Sequence, residues 1–353
     1  MSILVANAAI WLPLRPAIVL VVLLLGFFGC AESSRTVELG GRIYGTGWSL
    51  VYLPDDSQPS PAVVEAEVLA AFDVVNTSMN TYDPQSLISE FNALPAGAAL
   101  EVDWDFTYVL NEAIGITRLT EGAYDVTVAP LISLWGFGPT GPTKIPADAV
   151  VSATREVVGL SRLDWQPNIR QLSKRVAGVS LEFSSIAKGY GVDLAADVLD
   201  ELGIENFMLE VGGELQLRGN SPRGDAWRIA VERPEQGRGS FQAAVTVSNV
   251  GVATSGDYRN YFEQDGQRYS HIIDPRTGYP VQHDLVSVTV IHPSTALADA
   301  WATALCVLGT DQALTLSEQL GLAVYLVHRD GDDFKAVSST KFAPFLASNA
   351  ASG

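Results

Sequence analysis

Six β-rich runs crowd the second half of the chain, and no regular helix alternates with them. They cover residues 176–183, 207–211, 227–231, 243–247, 286–291 and 322–327, and Gly, Pro or Asp bounds them. Parallel neighbours need a long crossover, usually a helix, between strands. The missing βαβ rhythm therefore predicts one α+β domain with largely antiparallel sheets and flanking helices. Apolar residues at helical spacing mark four helices. The first carries Val63, Val64, Val68, Leu69, Phe72 and Val75 behind a proline start at Pro61. The second carries Phe106, Val109, Leu110, Ala113 and Ile114 behind Asp103 and Asp105. Leu194, Ala195, Val198 and Leu199 belong to a third that begins near Lys188, and a fourth runs from about 296 to 307, stopped by Gly309. From Gly41 onward no linker, repeat or low-complexity block divides the chain.

Residues 17–28 form an apolar run of twelve, flanked by Arg15 and followed by Gly29 and Cys30. That length is too short to span a bilayer core of about 30 Å but suits a signal-peptide core. The chain turns polar directly after Cys30, as in a bacterial lipoprotein signal whose cysteine is lipidated. An ordinary cleaved signal and an uncleaved anchor are the other readings. Residues 1–29 are thus expected as signal peptide, 30–40 as tether, 41–348 as the domain and 349–353 as tail. The other cysteine, Cys306, lies in an apolar helical stretch and reads as core. Two such cysteines make neither a disulfide framework nor a Cys-rich metal site.

Lys and Arg number 22 against 40 Asp and Glu, a formal charge of −18. Such a surface repels phosphate backbones, and no local basic patch offsets it, so nucleic acid is not an expected partner. Several common chemistries lack their motifs: there is no G-x-S-x-G, no H-E-x-x-H and no Walker loop. Gly189-Tyr-Gly191 lacks the third glycine of a dinucleotide fingerprint, because Leu194 stands there.

Three clusters carry candidate chemistry. In Glu182-Phe-Ser184-Ser185-Ile-Ala-Lys188-Gly189 a β-run gives way to a helix start, where free amides and a lysine suit phosphate. Asp299 and Thr303 stand four apart on one helix face, a pair of hard oxygen donors suited to Mg²⁺. In Tyr269-Ser-His271-Ile-Ile273-Asp274-Pro-Arg276-Thr-Gly278 a strand enters a turn, with His271 a general-base candidate. Each cluster taken alone is equally a cap, a dipole contact or a turn.

Together with other blocks they resemble the ApbE family, the FAD:protein FMN transferases, from about residue 42 to 346. The blocks are Tyr44-Gly-Thr46; Met79-Asn-Thr-Tyr82 with Ser86 and Asn92; and Gly122-Ala-Tyr-Asp125-Val-Thr-Val-Ala-Pro130-Leu through Trp135-Gly-Phe-Gly138. They continue with 184–189, Val211-Gly-Gly213-Glu, Thr254-Ser-Gly-Asp-Tyr-Arg-Asn260, 271–278 and 299–303. The resemblance implies an α+β domain of the ApbE, T-fold-like type. It implies Mg²⁺-dependent transfer of the FMN half of FAD to a Thr or Ser hydroxyl of an acceptor protein, with release of AMP. Flavin contacts would fall on Tyr44, Tyr82, Ala123, Tyr124, Asp125, Glu182, Lys188 and Ile273, and the metal on Ser185, Asp299 and Thr303. His271 would be the base, with Asp299 the rival. The acceptor would be a membrane redox subunit facing the same compartment, the periplasmic side of a bacterial membrane. The chain departs from the family at Tyr44, where Met is common, at Glu182, where Asp is usual, and at Ala302, where some members carry a second acid. A FAD pyrophosphatase and a non-catalytic flavin-binding lipoprotein are the alternatives, and Ala302 is the main argument for the latter.

Overall fold

Eight strands cross one sheet in chain order: β1 (Val37–Ile43), β2 (Thr46–Tyr52), β3 (Phe207–Val211), β4 (Glu214–Arg218), β5 (Val250–Gly256), β6 (Leu285–His292), β7 (Ala323–Asp330) and β8 (Asp333–Ser338). Every neighbouring pair is antiparallel. This computed structural model describes residues 36–137, 145–232, 241–257, 261–264, 266–331 and 333–346, all within one compact unit. Cys30, Gly138, the 258–260 part of the Thr254 block and the 349–353 tail lie outside the described residues. No helix among the described residues is long and apolar enough to cross a membrane.

Two of the strand connections are two-residue turns that need positive φ at both central positions. Gly212 and Gly213 supply this between β3 and β4, at 61° and 107°. Between β1 and β2, Tyr44 (50°) and Gly45 (76°) do the same. A tyrosine in that region is strained, and its hydroxyl is anchored by donating to the Phe72 carbonyl at 2.8 Å.

Two of the other connections carry the helices. The segment between β2 and β3 includes α1 (Pro61–Met79), α2 (Trp104–Leu119) and α3 (Ala187–Glu201); α4 (Thr295–Leu308) and α5 (Thr310–Leu320) lie between β6 and β7. Residues alternate between the faces of the sheet. Leu50, Tyr52, Leu209 and Val211 pack against Val64, Val68 and Phe72 of α1 and against Val192, Ala195 and Leu199 of α3. Ala253, Val288, Val290, Val324 and Leu326 share a core with α2 and α4. Val252, Ile291, Tyr325 and Val327 point the other way, under the hairpin Trp227–Glu232/Phe241–Val247 and Phe342. Burial on both faces is why β7 opens on an unbroken apolar run over 323–327 and why only Ser287 and Thr289 break the one in β6 over 285–291.

Two expectations differ from the structure. Residues 37–40, read as tether, form the start of β1, because their backbone pairs with 49–52 of β2. Residues 176–183 do not form a strand. Their alternation is real, since Val179, Leu181 and Phe183 are all buried, but the partner is a side chain. Asn92 donates Nδ2 to the Leu181 carbonyl at 2.9 Å and accepts the Leu181 amide on Oδ1 at 2.7 Å. One amide side chain thus mimics a neighbouring strand and leaves the segment free to turn into α3.

Candidate active site

The start of α3 is built for close approach. A Cβ on Gly189 would lie 2.4 Å from the Thr295 carbonyl of α4, and one on Gly191 would lie 2.6 Å from the Tyr44 hydroxyl. Only glycine lets α3 touch both neighbours. From α3, Asp193 grips the start of α4, accepting the Thr295 and Ala296 amides at 2.7 and 3.0 Å and the Ser294 hydroxyl at 2.7 Å. This carboxylate caps a helix from outside it and fixes where Asp299, one turn further on, will lie.

At that position Asp299 is buried and accepts the Gly189 amide, at the N-terminus of α3, on Oδ2 at 3.3 Å. Lys188 Nζ lies 3.3 Å from the same oxygen and 3.2 Å from Glu214 Oε1, at the start of β4. Burial pulls the Lys188 ammonium down, but Asp299 and Glu214 outweigh it and hold it well above the usual lysine range. Burial pushes Glu214 up to about 7 against the pull of Lys188, and it raises Asp299 likewise. Glu214 was not among the residues assigned a role from sequence. Its only signal is the two-glycine turn that delivers an acid to the end of a strand.

A cavity of about 350 Å³ opens over this corner, within the range of small-molecule sites. It gathers Ala123, Tyr124, Asp125, Glu182, Ser185, Lys188, His271, Ile273, Asp299 and Thr303 from four separate stretches of chain. A second cavity, about 440 Å³, takes Tyr44 and Tyr82 and shares Glu182, Ser184 and Lys188 with the first. Tyr44 and Tyr82 are therefore not beside Asp299 but across the lysine from it. Ser255, which the sequence places in the Thr254 block without a role, lines the first cavity and bonds Thr303 (Oγ to Oγ1, 3.1 Å). Ser185 Oγ donates to the Tyr124 hydroxyl at 3.0 Å. Glu182 accepts from the Thr81 hydroxyl at 3.0 Å and the Ser184 amide at 2.9 Å. Asp125 spends one oxygen on the amide and hydroxyl of Thr127. His271 meets the Phe137 ring edge-on at 6.3 Å between centroids. Ala302 is wholly buried in the core and is not among the residues that line the cavity.

The donors in this corner suit a hard divalent cation: a carboxylate on Asp299 and hydroxyls on Ser185 and Thr303, beside a Glu214 whose Oε2 is buried with no hydrogen-bond partner. Among the described residues no group of three or more His, Cys, Asp or Glu could hold a metal unaided. Hydroxyl, water or ligand oxygens would have to complete the shell.

A lysine at a helix start thus stands beside paired carboxylates and between two cavities on an antiparallel α+β scaffold. The chain belongs to the ApbE family, whose model matches residues 44–326. It is 40% identical to the FAD:protein FMN transferase of Vibrio cholerae over 335 residues, 95% of this chain and 100% of the relative. It is also 40% identical to that of Haemophilus influenzae over 331 residues, 92% of this chain and 96% of the relative. The solved structure of flavin transferase ApbE from Vibrio cholerae superposes with a TM-score of 0.83 at 39% identity, covering 88% of this chain and 99% of that one.

Proposed function

We propose that the protein transfers the FMN half of FAD to a Thr or Ser hydroxyl of an acceptor protein, releasing AMP. The observation that carries this reading is Lys188, which lines both cavities and stands against Asp299. A dinucleotide has two bulky ends joined by a pyrophosphate, and a cation between two cavities suits that shape. In the step itself the acceptor oxygen attacks the FMN phosphorus, the bond from that phosphorus to the bridging oxygen breaks, and AMP leaves with the bridging oxygen. The hydroxyl proton passes to His271, with Asp299 the rival acceptor. Asp299, Ser185 and Thr303 would hold Mg²⁺, which when bound neutralises phosphate charge.

Incubating the protein with FAD, Mg²⁺ and a candidate acceptor tests this. AMP should appear together with fluorescent flavin that stays on the acceptor through a denaturing gel. Free FMN with AMP and no labelled protein would make it a FAD pyrophosphatase instead. We extend the proposal to location: export, and a lipid anchor on Cys30 at the periplasmic face of a bacterial membrane, with a membrane redox subunit as acceptor. Cys30→Ala should lose palmitate label and move the protein to the soluble fraction; unchanged membrane retention would overturn the anchor.

A further inference from the structure

Two buried carboxylates and one ammonium share the corner where α3 meets β4 and α4. Lys188 Nζ reaches Glu214 Oε1 at 3.2 Å, Asp299 Oδ2 at 3.3 Å and the Ser184 carbonyl at 3.3 Å. An ammonium carries three protons, and these three acceptors account for them. The carboxylates outnumber the ammonium, and the bonding reflects it. Both hydrogen bonds to Asp299 fall on Oδ2, while Glu214 Oε2 is buried with no partner. Through Oδ2, Lys188 therefore already neutralises the carboxylate that a divalent cation would claim, given the reading of Asp299 in the proposed function.

We propose that Lys188 is a displaceable internal cation, neutralising Asp299 until a divalent ion enters, and that Glu214 then keeps the lysine beside the site. Each half of the exchange has a physical reason. A buried carboxylate with no partner is costly, so Asp299 needs the ammonium before the ion arrives. Once the ion binds, like charges drive the ammonium off, and without Glu214 it would have only the Ser184 carbonyl to hold it. Glu214 thus acts through Lys188, as a positioning residue that holds an ammonium within reach of the ligand's phosphates. A built-in competitor also makes metal and FAD cooperative, because phosphates that draw Lys188 away free Asp299 for the ion.

Mn²⁺, followed by electron paramagnetic resonance without FAD, tests the exchange in a double-mutant cycle. Lys188→Met removes the competitor and should tighten Mn²⁺ about tenfold, and Glu214→Gln in the intact protein should weaken it about tenfold. In the Lys188→Met background most of the Glu214→Gln loss should vanish. Lys188→Gln repeats the measurement with a polar side chain, should the methionine variant not fold. An equal Glu214→Gln loss in both backgrounds would show Glu214 acting directly on the ion and overturn the proposal, as would unchanged Mn²⁺ affinity on losing Lys188. If the unmutated protein labels its acceptor while the cycle shows no coupling, this inference alone fails. If it binds no Mn²⁺ at all, the metal reading of the function fails with it.

Discussion

Asp299 and His271 face one cavity, but their losses should look different. Asp299→Ala removes the carboxylate that accepts from both Lys188 and the Gly189 amide, so AMP release should fall at least about a hundredfold. Some FAD binding should persist, measured by flavin fluorescence quenching, because the ring-side contacts survive. Turnover equal to the unmutated protein would sink the metal assignment. His271→Ala should slow hydroxyl transfer by about 10²–10³ with FAD affinity changed far less, and matched losses would mean a structural histidine. Much of the candidate site was legible at this scale, because helix-start lysines, paired oxygen donors and turn histidines are local patterns. Glu214 was not, because its meaning lies in Lys188, which no spacing rule connects to it. Ala302 is opaque for a related reason: a position in a motif does not say what the side chain packs against, and here it is buried in the core.

At the scale of elements, α3 carries most of the tension. Its last nine residues include Asp193, Asp197, Asp200 and Glu201, the last three toward the end where the helix dipole prefers bases. Burial, then Asp193 and Asp200, raise the Asp197 carboxyl despite the pull of Arg218. A raised acid favours the folded state most when protonated, so this contribution is lost as pH rises through the carboxylate range. Asp197→Asn should therefore stabilise the protein at pH 7 by only about 0.5 kcal/mol, since the group is largely solvent-exposed. Thermal melts should show the gain shrinking at low pH and in high salt, and a gain that grew on acidification would contradict the charge argument. Asp193 is the exception among these acids, because it holds the start of α4. Asp193→Ala should cost about 1–2 kcal/mol, read by denaturant melts. The four predicted helices and five of the six predicted strand runs were readable from periodicity and breakers. The sixth failed because period-two burial reports an extended chain and not a strand partner, and Asn92 supplied what a strand would have. β1 escaped notice because Gly40 and Gly41 weaken its β signal.

The whole molecule works against its own substrate. A charge of −18 surrounds a site meant for an anionic dinucleotide, so the long-range field repels what Lys188 attracts at short range. Salt screens the first more than the second. The kcat/KM for FAD should thus rise, about twofold, between low and physiological ionic strength, and a steady fall with salt would show that local attraction dominates at every distance. The sheet's strict chain order has another consequence. Its strands can join one at a time as the chain emerges, yet the chemistry comes from residues 44 to 303. A chain halted before α4 has Lys188, Tyr44 and Tyr82 but no Asp299, so under the proposed function a nascent or truncated copy would release no AMP from FAD.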